Sequence, residues 1–279
     1  MNFLQLDKQI QDWLAEDIGS GDITTLALVP AAAKTNAIIH AKDSGILAGI
    51  DVARRVFELL DKDIQFDAKL ADGAALTNGS IIAEIKGNAQ AILTGERLAL
   101  NLLQHLSGVA TSTHKLAAIA APFGAKLVDT RKSTPGMRLL DKYAVKAGGG
   151  ANHRLGLYDA MLIKDNHIQV AGGITEALNR AHDYASHMTK IEIEVESLAG
   201  VKEALAGKAD VIMLDNMSIA DMTEAVKIIN KQAVVEASGG ISEATLADVA
   251  KTGVDVISVG ALTHSVKALD ISMDIGHIK

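Results

Sequence analysis

The sequence predicts a mixed α/β protein whose larger, C-terminal part is a parallel sheet wrapped by helices. Three observations predict this. From about residue 108 onward, β-like and Ala-rich helical segments alternate at lengths that fit repeated β-then-α units. Before that point, short β-like pieces and helices follow one another without such a repeat. Each strand of the repeating part ends in a polar residue or a glycine, at the position where parallel α/β barrels assemble their active sites.

In chain order, residues 3–16 read as an amphipathic helix with Phe3, Leu6, Ile10, Trp13 and Leu14 on one side. The segment GSGDITT (19–25) reads as a loop. Strand-like pieces follow at 36–41, 64–70 and 80–87, separated by DSG, ADG and TNG turns, with a helix around 49–60 between the first two. A second helix is expected from about 94 to 106. Thr94 would be its N-cap, Glu96 would lie in its first turn, and Leu98, Leu102, Leu103 and Leu106 would form its buried stripe. In the repeating part, strands are expected at 125–130, 158–164, 190–196, 210–215, 233–238 and 255–260. Helices are expected at 171–185, 198–206, 218–230 and 242–251. That makes six strands rather than eight, so either two are disguised or the barrel is incomplete.

Composition narrows the function. The chain of 279 residues is long enough for a substantial core, as two small domains or one large barrel. Having no cysteine excludes disulfides, thiolate metal sites and cysteine nucleophiles. The first residues are acidic and amphipathic, unlike a secretory signal, and no apolar run approaches the ~20 residues of a membrane span. A cytoplasmic location is the expectation. The formal net charge is -7, yet the stretch 131–167 carries seven Lys/Arg against three acids. A cationic island in an acidic molecule points to a small polyanion, since the remaining surface would repel a nucleic acid.

The strand ends carry the chemistry. Thr130 closes one strand, and Arg131 and Lys132 follow it. An arginine fork beside a compact ammonium suits a ligand with more than one anionic group. His153 and Arg154 follow the glycine run 148–150, a run that could approach an anion through its amides or simply turn the chain. Lys164 ends the next strand. Glu194 and Asp215 end the two after that, with Glu194 favoured by position over Glu192 and Glu196 on the same face. These two carboxylates could hold Mg²⁺ beside a diphosphate or stabilise positive charge on a sugar ring. Ser238-Gly239-Gly240 and Gly260-Ala261 each follow a late strand and open a helix, as phosphate sites of barrel enzymes do.

With these residues assembled, the chain closely resembles the quinolinate phosphoribosyltransferases, the carboxylating nicotinate-nucleotide pyrophosphorylases of NAD biosynthesis. The resemblance rests on EDIGSGDITT (16–25), ERLALNLLQHLSGVAT (96–111), DTRKSTPGMR (129–138), KYAVKAGGGANHRLGLYDAMLIKDNHI (142–168), IEIEVESL (191–198), VIMLDNMS (211–218), EASGGI (236–241) and GVDVISVGALTHS (253–265). It implies an N-terminal α/β sandwich over 1–107 and an incomplete α/β barrel over 108–265. It also implies a tail, 266–279, that packs back on the sandwich. A homodimer is implied in which Arg97 of one subunit reaches the other's site. Carried over by motif, Arg131, Lys132, His153 and Arg154 would line the quinolinate end. Lys132, Lys164, Glu194 and Asp215 would face the phosphoribosyl diphosphate and its Mg²⁺, with the metal ligated directly or through water. Ser238, Gly239, Gly260 and Ala261 would cradle the 5-phosphate, with His264 close by and Gly240 also among the substrate-binding candidates. Ser133 stands where the family usually has Thr, and Ala147 where Cys is frequent; neither change removes a charged group.

The implied reaction joins the pyridine nitrogen of quinolinate to ribose C1 as diphosphate leaves. Loss of CO₂ then gives nicotinate mononucleotide. Three other readings compete. Lys164 could form a Schiff base as in an aldolase, the acceptor could be a different aromatic, or the protein could be a non-catalytic sensor of anionic metabolites. Glu194 and Asp215 argue against the sensor, because anion binding alone gives no reason for acids there.

Overall fold

The structure, a computed structural model, describes residues 3–276, apart from the side chain of Phe3. The outermost residues of the expected 1–107 and 266–279 segments lie outside that range. The chain forms two compact units. One takes the residues up to 112, the short stretch 146–149 and the residues from 266 onward; the other takes 113–145 and 150–265.

The first unit is an antiparallel sheet with helices. Helix α1 (Phe3–Ile18) buries Leu6, Ile10 and Leu14 at helical spacing. The expected loop at 19–25 instead starts a helix, α2 (Ile23–Leu28), because Asp22 caps it by accepting the Thr25 N–H at 3.0 Å. Next come β1 (Lys34–Ala41), β2 (Gly45–Ile46), α3 (Ile50–Leu60), β3 (Gln65–Ala68), β4 (Ala75–Leu76) and β5 (Ile81–Asn88). Ala37, Ile39 and Ala41 alternate inward along β1, the period-2 pattern of a strand with one covered face. Arg55 of α3 grips Asp7 of α1 bidentately, at 2.7 and 2.8 Å.

Helix α4 (Ala89–Ala120) is much longer than the expected 94–106. Asn88 starts it by accepting the Ala91 N–H at 3.0 Å. Thr94 therefore lies inside the helix, where its hydroxyl reaches Asp22. The expected boundary at 107/108 also falls within α4, and the two units divide at 112/113.

The second unit begins with β6 (Lys126–Val128) and α5 (Arg138–Ala147), then β7 (Met161–Ile163), α6 (Asp165–Ala171) and α7 (Ile174–Tyr184). It continues through β8 (Ile191–Val195), α8 (Leu198–Ala206), β9 (Val211–Asp215), α9 (Ile219–Ile229), β10 (Val234–Ser238), α10 (Glu243–Lys251), β11 (Val256–Ser258) and α11 (Ala261–His264). The six strands pair in the order β6-β11-β10-β9-β8-β7, all parallel. Among the described residues β6 and β7 remain the two edges, so the barrel is incomplete and no strand is disguised. Beyond β6 the chain adds one bridge, Val128 to Ala151, which lays the 151–154 segment along that edge. Ser197 and Ser218 cap α8 and α9 by accepting the N–H of Gly200 and Asp221.

The last strand, β12 (Ile271–Ile275), returns to the first unit and pairs antiparallel with β1, completing the sheet β12-β1-β5-β3. The expected return of the tail thus takes the form of an added strand.

Candidate active site

The C-terminal ends of the parallel strands enclose a cavity of about 600 Å³. Thr130, Arg131 and Lys132 enter it after β6, Lys164 after β7, Glu194 from β8, Asp215 from β9 and Ser238 from β10. His153 and Arg154 enter from the edge segment. This convergence follows from parallel strands, which bring all their C-terminal ends to one side.

A buried lattice holds the edge segment. Asp129, fully buried, accepts from Lys142, from Asn152 Nδ2 at 2.7 Å and from the His153 N–H at 2.9 Å. Lys142 also donates to the His153 carbonyl at 2.9 Å. A buried ion pair stands only when further hydrogen bonds complete it, and here those bonds fix where His153 and Arg154 sit. The glycine run makes the turn that leads there. The Gly149 and Gly150 amides go to the Lys146 and Val145 carbonyls, so they are spent on the turn rather than on an anion.

Arg131 and Arg154 give the pocket its positive wall. The Nε of each is buried without a protein partner. Arg154 is partly anchored by donating Nη1 to the Ala160 carbonyl at 3.0 Å. Burial, and next the neighbouring charge of Arg131, lower its pKa. Two guanidinium groups held against their mutual repulsion suit an anion that can bridge them. Arg138 braces the loop between them, donating to Ser133 Oγ at 3.2 Å.

Two acids line the same cavity. Glu194 is ion-paired with Lys164 at 3.2 Å, and Asp215 accepts from Asn216 Nδ2 at 2.7 Å. Asn216 has φ +52°, a left-handed conformation that asparagine tolerates, and its N–H donates to the Ser238 carbonyl at 3.0 Å. Gly239, at φ +94°, is required there, because a Cβ would lie 2.3 Å from Asn216 Oδ1. Gly240 completes that side of the cavity.

Four candidates lie outside the cavity lining. Gly260 serves at one remove, since a Cβ on it would lie 3.1 Å from Lys132 Cδ and 3.2 Å from His264. Thr263 Oγ1 donates to the Lys132 carbonyl at 2.6 Å in the same corner. Ala261 is exposed at the start of α11, and Arg97 is exposed on α4. Four lining residues carried no role in the sequence: Leu162, Met213, Asn216 and Ser258. Asn216 was visible as part of VIMLDN, but its work depends on a backbone conformation that no spacing rule gives.

Beneath the pocket lie two more acids. Glu192 and Glu236 are 7% and 4% exposed, and both approach His153. Burial, and next the charge of Glu192, push the Glu236 carboxyl up to about 7.

The family model for the quinolinate phosphoribosyl transferase N-terminal domain matches residues 22–107, and that for the C-terminal domain matches residues 109–274. The chain belongs to the quinolinate phosphoribosyltransferase family. A probable nicotinate-nucleotide pyrophosphorylase [carboxylating] of Bacillus subtilis is 47% identical over 99% of this chain and 95% of its own length. The crystal structure of NadC from Streptococcus pyogenes superposes with a TM-score of 0.96 at 40% identity, covering 100% of this chain and 99% of that one. The nicotinate-nucleotide pyrophosphorylase from Francisella tularensis gives 0.94 at 43% identity, covering 99% and 97%. As a family member, the chain carries its two charged walls on the fold of those enzymes.

Proposed function

We propose that the protein transfers phosphoribosyl from 5-phosphoribosyl 1-diphosphate to quinolinate with decarboxylation, giving nicotinate mononucleotide, diphosphate and CO₂ for NAD biosynthesis. One observation carries this beyond family membership: a pair of neighbouring guanidinium groups, Arg131 and Arg154, lines the same cavity as the acids Glu194 and Asp215. A dianionic pyridine diacid fits the guanidinium pair. A sugar that develops positive charge as its diphosphate leaves fits the acids.

In this reading Arg131 and Arg154 hold the two carboxylates of quinolinate and orient the ring nitrogen toward ribose C1. That nitrogen forms the new bond as the C1–O bond to diphosphate breaks, and diphosphate takes the bonding pair. Lys132 and Lys164 neutralise the leaving group. Glu194 and Asp215 stabilise the cationic sugar. The pyridinium so formed accepts the electron pair released when the C2 carboxylate leaves as CO₂, and a proton replaces it. Lys164 is about half exposed and held by Glu194, an arrangement unlike the desolvated amine of a Schiff-base enzyme.

Glu194 and Asp215 present hard carboxylate oxygens and so fit Mg²⁺. Bound there, directly or through water, the ion would neutralise diphosphate charge. A homodimer belongs to the same proposal. It is supported by Arg97 standing exposed on α4 and by Ile23, Leu26 and Leu28 standing exposed on α2. A cytoplasmic location is also proposed; no helix among the described residues is long and apolar enough to cross a membrane.

The test mixes purified protein with quinolinate, phosphoribosyl diphosphate and Mg²⁺ and follows CO₂ release. Stoichiometric CO₂ and nicotinate mononucleotide are expected. Turnover of nicotinate instead of quinolinate would overturn the acceptor assignment.

A further inference from the structure

The reaction above makes no use of the two buried acids beneath the pocket. His153 Nε2 lies 3.1 Å from Glu192 Oε2 and 3.6 Å from Glu236 Oε1. An imidazole and two carboxylates this close also match a metal-ligand pattern. The other ring nitrogen decides between the readings. His153 Nδ1 accepts the Arg154 N–H at 2.7 Å, so it carries a lone pair and the proton of the neutral ring is on Nε2. A protonated Nε2 donates to Glu192 and has no lone pair for a cation.

Although burial opposes them, Glu192 and Glu236 draw the His153 pKa upward, but a second ring proton would have to sit on Nδ1, where the Arg154 N–H already points. With the ring held neutral by that donor, two ionised carboxylates would face each other in the interior with one N–H donor between them. Like charges at that depth do not both persist, and one carboxyl keeps a proton. Glu236 is the one that keeps it, because the Nε2–H lies nearer Glu192. Burial and the charge of Glu192 favour that proton and outweigh His153 and the Ser258 hydroxyl, which oppose it. Glu192 faces it from β8, His153 from the edge segment and the Ser258 hydroxyl from β11, and β9 pairs the uncharged Met213 beside it. Lys142 of α5 acts on His153 but is already paired with Asp129.

We propose that Glu192 and Glu236 are positioning residues for Arg154. Glu192, accepting from Nε2–H while Glu236 stays neutral beside it, keeps His153 in the tautomer whose Nδ1 grips the Arg154 amide, and this aims the guanidinium into the pocket. The proposal rests on the quinolinate reading for its kinetic consequence. When Glu236 loses its proton, two anions compete for one Nε2–H. The ring is then pulled from Glu192 toward Glu236, and Nδ1 moves off the line of the Arg154 N–H.

The experiment measures the quinolinate KM at saturating phosphoribosyl donor from about pH 6 to about pH 9. In the unsubstituted protein KM should rise about tenfold across this range, the upper end for one lost neutral hydrogen bond. Glu236→Gln places a neutral amide where the protonated acid stood, so its KM should stay low and flat. Glu192→Gln should raise KM at every pH. The KM of the phosphoribosyl donor should be unaffected in all three. A Glu236→Gln profile that follows the unsubstituted one, or a Glu192→Gln KM left unchanged, would overturn the proposal.

A second measurement does not need turnover. In ¹⁵N-histidine-labelled protein, the ring signals lost in His153→Asn should show an unprotonated Nδ1 at about pH 6. A protonated Nδ1 there would overturn the relay even if the enzyme is fully active. An unprotonated Nδ1 in a protein that releases no CO₂ would overturn the function and leave the relay standing.

Discussion

Glu192 and Glu194 stand on one strand and, two residues apart, project to the same face. Glu194 reaches the rim of the pocket, keeps contact with solvent and pairs with Lys164. Glu192 lies in the floor with Glu236 and accepts the Nε2–H of His153, while Glu236 stands 3.6 Å from the same nitrogen. One step along the strand therefore changes what a carboxylate can do. At the rim it can meet a developing positive charge, because it faces the cavity beside Lys164. In the floor it serves as a fixed acceptor that orients other groups, and its neighbour must stay protonated.

Substitutions can break that contrast in order of expected size. The largest effect should come from the buried wall. Asp129→Ala leaves Lys142 charged and unpaired in the interior, with an expected loss of ~3–5 kcal/mol of stability in chemical denaturation. A loss below ~1 kcal/mol would show that the lattice does not hold the edge segment.

At the rim the loss should appear in rates and affinities. Arg154→Ala should raise the quinolinate KM about 100-fold, equivalent to ~3 kcal/mol, with little change in folding stability. Arg154→Lys should not restore it, because an ammonium lacks the planar fork. Glu194→Ala and Asp215→Ala should lower kcat about 100-fold while changing KM less. An unchanged kcat in both would move these acids out of the chemistry.

Glu236 sharpens the contrast through pH. Its carboxyl is raised from the ordinary 4.5 to about 7, so the folded protein holds this proton more tightly than the unfolded chain does. The stability it contributes is present below about pH 4.5 and is lost as pH rises toward about 7. Glu236→Gln removes that dependence. It should match the unsubstituted protein near pH 4.5 and exceed it by up to ~3 kcal/mol near pH 8, read from urea titrations at each pH. The smallest effect, ~1–3 kcal/mol, is expected for Gly239→Ala. The cause would be the strained φ of +94° and the clash with Asn216, read from the denaturation midpoint.

Much of this site was legible in the residues. The β-then-α alternation located all six parallel strands to within a few residues, because a buried parallel strand leaves a short apolar run that a polar end closes. The same strand ends named Arg131, Lys164, Glu194 and Asp215, which line one cavity. The α4 start was misplaced because Thr94 offered a plausible cap while Asn88 supplied the real one. Helix α2 was missed because Gly19 and Gly21 read as loop, although Asp22 caps a helix one residue later.

The sequence by itself determined the strand order of charges and the motifs that place the chain in its family, since these depend only on local pattern and spacing. Tertiary structure alone decided that Glu192 meets His153 and Glu236 in the floor. It also decided that Asn216 must orient Asp215, and that the C-terminal residues add a strand beside β1. The physical reason is that depth, tautomer and left-handed backbone are set by neighbours distant in the chain. His153 meets Glu192 and Glu236 across 39 and 83 residues of sequence, and no local pattern encodes that meeting.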